Sequence, residues 1–163
     1  MKQWIWPGIA FAAFALLGYG ARLAIGSVYG SGEARVLLET LSRSGLYLGS
    51  ASATASATTL ALMLTLIGMV RRADHDFDSH IYANIERIAR LAVWSLLASL
   101  LLLLTFVFPT GEFDQLPERW YPILYEAIYA GTVVVVGLLA ATVVMLYRTV
   151  RHVIAQITPG DEV

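Results

Sequence analysis

The chain has no cysteine and few charged residues, and both shortages narrow what it can be. Without cysteine, the 163-residue sequence has no disulfide, no thiolate nucleophile and no thiolate metal site. Only 14% of its residues are charged, 58% are hydrophobic, and the formal net charge is −1. A nucleic-acid partner needs a basic surface, which this balance does not supply. The composition indicates a single transmembrane domain covering residues 1–163.

Charge is missing from four long stretches, which contain 19, 27, 21 and 21 residues and lie between Lys2 and Arg22, Arg43 and Arg71, Arg90 and Glu112, and Glu126 and Arg148. A helix crosses the hydrocarbon layer with roughly 20 apolar residues. The sequence therefore predicts an all-α fold, a four-helix integral membrane bundle, with spans at about 4–23, 46–70, 91–108 and 123–147.

Nothing in the sequence indicates an enzyme. It contains no Ser-His-Asp arrangement, no carboxylate pair within a span and no Gly-rich phosphate loop. We expect no cofactor, since none of the 3 histidines lies within a predicted span to hold a haem. The expected partners are the lipid bilayer and either further copies of the chain or another membrane protein.

The basic residues predict the orientation. If the N-terminus is cytoplasmic, Lys2, Arg71, Arg72, Arg87, Arg90, Arg148 and Arg151 lie inside, and only Arg22, Arg35, Arg43 and Arg119 lie outside. An excess of Lys and Arg on the cytoplasmic side is the rule for membrane proteins. Both termini are therefore predicted to be cytoplasmic.

The segment before the second span allows two structures. Gly30-Ser31-Gly32 breaks the chain, and no further breaker occurs from Glu33 to Ser44. One alternative is a single helix over 33–71. The other is a separate extramembrane helix over 33–45, bent from the span at Gly45 or Gly49.

Small residues dominate the second span, and two ridges run along it at four-residue spacing. The first is a predicted helix-packing ridge of Gly45, Gly49, Ala53, Ala57 and Ala61. The second consists of Ser50, Thr54 and Thr58, continued by Leu62 and Thr65. Either this span is the buried centre of a four-helix monomer, or several copies surround an axis. In the second case the hydroxyls line a path and Leu62 forms its constriction. A groove for a small molecule is a third alternative.

The other spans carry less of this pattern. Gly8 with Ala12 in the first span, and Ala127 with Gly131 and Gly137 with Ala141 in the fourth, are pairs expected to meet span two. Span three is rich in leucine and is expected to face lipid on most sides, apart from a small stripe of Ala92, Ser95 and Ser99.

Ionisable residues form two further candidate sites. Arg22 and Glu126 both lie near the outer end of a span and are predicted to form an ion pair, since an unpaired charge there is costly. In the cytoplasmic loop, the weak candidate metal ligands are Asp74, Asp76, Asp78, His75 and His80. The simpler interpretation of the loop is that Asp78 or Ser79 caps the helix leading into span three.

Several segments resemble a group of small four-span bacterial proteins: the run from Ser56 to Leu66, His80-Ile81-Tyr82, Glu86-Arg87-Ile88-Ala89, Trp120-Tyr121, Leu124-Tyr125 and Met145-Leu146-Tyr147. The resemblance implies a bacterial inner-membrane location and four helices, but no activity. Ser42-Arg43-Ser44-Gly45 bears a fainter likeness to Orai-type calcium channels, but no acidic residue for ion selection follows between Ser44 and Val70.

These observations support a small oligomeric channel or permeation pathway lined by the second span. The alternative is a non-conducting accessory subunit of a larger membrane complex. A third hypothesis is a divalent-cation sensor that uses the cytoplasmic loop.

Overall fold

The computed structural model describes residues 5–25, 31–72, 79–107 and 120–157, and all of them are helical. The helices are α1 (Ile5–Ile25), α2 (Ser31–Arg72), α3 (Ser79–Val107) and α4 (Trp120–Ile157). Each contains a segment long and apolar enough to span a membrane: Ile5–Ala24, Val36–Gly68, Ala83–Val107 and Trp120–Arg151. The predicted all-α architecture of four membrane-spanning helices is confirmed, and the described residues include no strand.

α2 is one uninterrupted helix of 42 residues, about 63 Å long. It passes through Gly45 and Gly49 without ending, in agreement with a single helix over 33–71. No proline occurs between Ser31 and Arg72, and Leu, Ala and Met, which have high helix propensity, surround the two glycines.

α3 and α4 are also longer than their predicted spans. α3 begins at Ser79, well before residue 91, and α4 continues past residue 147 to Ile157. An uncharged run marks only the part of a helix that crosses hydrocarbon, whereas an amphipathic extension is helical too. At the start of α3 this extension buries Ile85 and Ile88. On its exposed side, Arg90 Nη2 lies 2.6 Å from Glu86 Oε1.

The four helices do not contribute equally to the bundle. α2, α3 and α4 pack against one another, whereas α1 packs only against α4 within the described residues. Successive helices run in opposite directions. We call the two ends of the bundle the Arg22 end and the Arg148 end, after residues of α1 and α4.

The core is apolar at both ends. Toward the Arg22 end lie Leu38, Leu102, Phe106, Tyr125, Ile128 and Val135. Toward the Arg148 end lie Met63, Ile85, Ile88 and Met145. α3 is buried on one side only. That side holds the expected stripe of Ala92, Ser95 and Ser99 and also the larger Leu102 and Phe106, for which the small residues of α2 and α4 leave room.

Candidate functional site

Between Leu38 and Met63, the buried residues of α2 are glycines and serines, and they follow α3 in antiparallel register. Phe106 lies directly on the backbone at Gly45, where a Cβ atom would overlap its ring. One turn further, a Cβ at Gly49 would lie 2.9 Å from Leu103 Cδ2. A Cβ atom at either position would force the facing side chain of α3 to shift, so the two glycines permit this close approach.

Two pairs of buried serines continue the same interface into the middle of the bundle. Ser56 donates a hydrogen bond to Ser95 Oγ at 3.0 Å. Ser99 Oγ lies 3.0 Å from Ser52 Oγ and 2.8 Å from the carbonyl oxygen of Ser95. All four side chains are at most 1% exposed. Serines four residues apart on two helices were the available sequence signal, but the sequence alone does not pair them.

The predicted packing ridge divides between two faces of α2. Gly45 and Gly49 are buried, Ala53 is half-buried, and Ala57 and Ala61 are exposed. The reason is the pitch of the helix. A step of four residues turns about 40° beyond a full revolution, so a ridge of repeated four-residue steps winds around the helix. The buried line instead alternates steps of four and three residues, which keeps it facing α3.

The second predicted ridge lies wholly on the surface of the single chain. Ser50, Thr54, Thr58, Leu62 and Thr65 are all exposed. With their neighbours they form a continuous face that we call the hydroxyl stripe, defined as Ser50, Ala51, Thr54, Ala57, Thr58, Ala61, Leu62 and Thr65. The exposed face of α3 differs from this stripe in being bulky and apolar. It consists of Val93, Leu97, Leu100, Leu101, Leu104 and Val107.

The threonine hydroxyls of the stripe are held by their own helix. Thr54 donates to the carbonyl oxygen of Ser50 at 2.9 Å, Thr58 to that of Thr54 at 2.8 Å, and Thr65 to that of Ala61 at 3.0 Å. Each hydrogen is therefore used within α2, while the oxygen lone pairs are available to a neighbour. Chemically, the stripe offers acceptors for water or a cation, and a flat surface for another helix.

The predicted ion pair between Arg22 and Glu126 is present and joins α1 to α4. Arg22 Nη2 lies 2.5 Å from Glu126 Oε1, and both side chains are about half exposed. Nearby, Tyr129 donates from its hydroxyl to the carbonyl oxygen of Gly18 at 2.9 Å. At the other end of the same helix pair, Arg148 Cζ lies 5.4 Å from the centre of the Trp6 ring.

The glycines among the small residues of α1 and α4 do not meet α2 as expected. A Cβ at Gly137 would lie 2.8 Å from Phe11 Cδ2 of α1, and a Cβ at Gly131 would lie 3.3 Å from Leu102 Cδ1 of α3. Gly8 has no neighbouring atom within 4 Å. The glycines of α4 therefore accept large side chains from α1 and α3, and α2 packs its own glycines on α3.

The candidate metal ligands Asp74, His75, Asp76 and Asp78 lie outside the described residues, and the cap at Asp78 lies there with them. His80 belongs to α3, but its side chain is not among those described. Within the described part of the chain, no three or more His, Cys, Asp or Glu side chains come together to hold a metal ion.

Comparison of the chain with protein-family models, with curated proteins and with solved structures found no match.

Proposed function

We propose that this protein resides in a bacterial inner membrane, that its copies associate through the hydroxyl stripe of α2, and that they line a small permeation pathway with it. The observation that carries the proposal is the exposure of this stripe on the single chain. Lipid tails have no hydrogen-bonding partner for a hydroxyl group. Membrane helices also approach one another most closely at surfaces of small residues. Bulky residues, by contrast, make up the exposed face of α3.

In such an assembly, α2 of each copy faces a common axis. The oxygens of Thr54 and Thr58 replace part of the hydration shell of an ion or water molecule. Their hydrogens are already bonded within the helix, so the path presents acceptors and favours cations. Leu62 follows one turn later and forms an apolar constriction that gates by dewetting. With both termini cytoplasmic, as the basic residues favour, the path runs from Ser50 outside toward Thr65 inside.

The alternative is a non-conducting accessory subunit whose stripe docks on a helix of a larger membrane protein. The restriction of the stripe to one helix favours it, since a single small-residue face suits a single partner helix. The two functions differ in what the purified protein does alone: one forms an oligomer and conducts, the other does neither.

Oligomeric state in mild detergent tests the association. Ala57→Leu places four-carbon bulk on the stripe and should shift the protein toward monomer in light-scattering measurements. Ala130→Leu makes the same change at an exposed alanine of α4 and should leave the mass unchanged. Equal effects of the two changes would contradict the proposed interface.

Ion flux into liposomes tests the pathway. Leu62→Ser hydrates the constriction and should raise leak, because a polar residue stabilises water at the narrowest point. Thr54→Val keeps the shape of the side chain, removes its oxygen, and should lower flux with little loss of stability. A monomer that passes no ion as wild type or as the Leu62→Ser variant would rule out the pathway and leave the accessory subunit.

A further inference from the structure

Two arginines at the Arg148 end are exposed and lie one turn apart on α4. Arg148 is held over the Trp6 ring of α1, and Arg151 is exposed on the adjoining surface of α4. The ion pairs of the described residues involve Arg22, Arg43 and Arg90, so neither Arg148 nor Arg151 has a described carboxylate partner. This surface therefore carries two positive charges that the described structure does not neutralise.

The opposite end of the same helix pair shows the contrast. There, Arg22 of α1 is neutralised by Glu126 of α4. At the Arg148 end, the described residues of α1 and α4 include aromatic side chains and no acid. Trp6 is 55% exposed, and Tyr147, one turn before Arg151, is 63% exposed. Indole N–H and phenol O–H groups are hydrogen-bond donors that act together with guanidinium groups on a phosphate.

These residues lie where the apolar stretches of α1 and α4 meet charged sequence. Arg148 is the first charged residue after the 21 uncharged residues that follow Glu126, and Trp6 lies four residues after Lys2. One turn deeper, Ile9 and Val143 are both more than half exposed and apolar. The surface therefore places cations and donors at headgroup depth, with an apolar surface below them for acyl chains.

We propose that Arg148, Arg151, Trp6 and Tyr147 form a binding site for the headgroup phosphate of an anionic phospholipid. The Trp6 ring holds the Arg148 guanidinium in place. The N–H donors of the Arg148 and Arg151 guanidinium groups then bind the phosphate oxygens. All four residues of this site belong to α1 and α4, and none of them is part of the hydroxyl stripe of α2.

Quenching of Trp6 fluorescence by brominated phospholipid tests the site directly. The reporter is the full chain with phenylalanine at Trp4, Trp94 and Trp120, reconstituted in vesicles of phosphatidylcholine. Brominated phosphatidylglycerol should quench Trp6 at several-fold lower mole fraction than brominated phosphatidylcholine. Arg151→Gln should lower this preference about fivefold, the effect of one arginine at an anionic surface. Adding Arg148→Gln should bring the preference close to one.

The decisive variant is Arg151→Gln, since its side chain has no described contact with the rest of the protein, and unchanged helix content by circular dichroism shows that it folds. Arg43→Gln, at the Arg22 end, is the matched control and should keep the preference. Equal quenching by the two lipids, or a preference unchanged by Arg151→Gln, would overturn the proposal. Displacement of brominated phosphatidylglycerol by millimolar inorganic phosphate would show that a free anion is the ligand, and would overturn the assignment to lipid.

Discussion

The α1–α4 interface and the α2–α3 interface are built in different ways. α2 and α3 are joined along their length by glycines under large side chains and by paired buried serines. α1 packs on α4 at two glycines, Gly18 under Val133 and Gly137 under Phe11. Polar contacts join the two helices near the ends of α1. Within an 18-residue window of each membrane-spanning segment, 6% of the residues are buried in α1, against 17% in α2, 28% in α3 and 33% in α4.

This difference indicates that α2, α3 and α4 form a three-helix core and that α1 is peripheral to it. Helix association in lipid depends on van der Waals contact and hydrogen bonds, because hydrocarbon tails are as apolar as the helix surfaces. A helix with one neighbour has less of both. We therefore expect changes in α2, α3 or α4 to destabilise the whole fold, and changes between α1 and α4 to loosen α1 alone.

The largest effect is expected for Leu102→Ala. Leu102 is 5% exposed, belongs to the apolar cluster at the Arg22 end, and reaches Gly131 of α4. Removing a buried leucine side chain leaves a cavity and should lower the free energy of unfolding by about 2–5 kcal/mol. The measurement is reversible unfolding in mixed micelles.

Leu101→Ala is the control for that experiment. Leu101 is the preceding residue on α3 but is 68% exposed, so the same deletion should have little effect. If the two variants lose similar stability, α3 is not buried in the way described, and the three-helix core is wrong.

The helices themselves were predictable from the sequence because a single physical rule governs them. A run of about 20 residues without charge has few stable states other than a membrane helix. The extensions beyond the membrane were harder to predict. At the start of α3, the charged residues Glu86 and Arg90 lower the hydropathy, so no apolar run marks the helix. Ile85 and Ile88 nevertheless have the spacing of one buried helical face.

The faces of the helices were less predictable, because burial depends on which helices are neighbours. Ala57 repeats the spacing of Gly45 and Gly49, yet it is exposed because a four-residue ridge winds around the helix. The small stripe of Ala92, Ser95 and Ser99 indicated the buried side of α3, but the sequence did not show that Leu102 and Phe106 extend that side. The ion pair of Arg22 with Glu126 was predictable, because the two opposite charges lie at the same depth and an unpaired charge there is costly.

A smaller effect, confined to α1, is expected for Gly18→Ala. The new Cβ would lie 2.5 Å from Val133 Cγ2, and a β-branched side chain has little freedom to move away. α1 should shift from α4 at a cost of roughly 1–3 kcal/mol. Protease sensitivity of the connection between α1 and α2 should rise, while the unfolding of α2, α3 and α4 should change little.

Gly20→Ala is the matched control on the same helix. No atom lies within 4 Å of a Cβ at Gly20, so the change should be neutral or slightly favourable to the helix. Loss of the entire fold in Gly18→Ala would contradict the peripheral position of α1, since it would show that the three-helix core depends on this contact.

The smallest effect is expected for Glu126→Gln, which breaks the ion pair between α1 and α4. Exposed ion pairs contribute about 0–1 kcal/mol, and both of these side chains are about half exposed. Added salt should weaken the association of α1 with α4 in the wild type, because it screens the ion pair. The same association should be insensitive to salt in the variant. Glu39→Gln, which breaks the wider 3.7 Å pair with Arg43 within α2, should leave α1 unaffected. A loss above about 2 kcal/mol for Glu126→Gln would mean that lipid surrounds the pair, because a charge left unpaired in hydrocarbon is far more costly than one in water. The polar contacts at its ends would then hold α1 more strongly than its packing does.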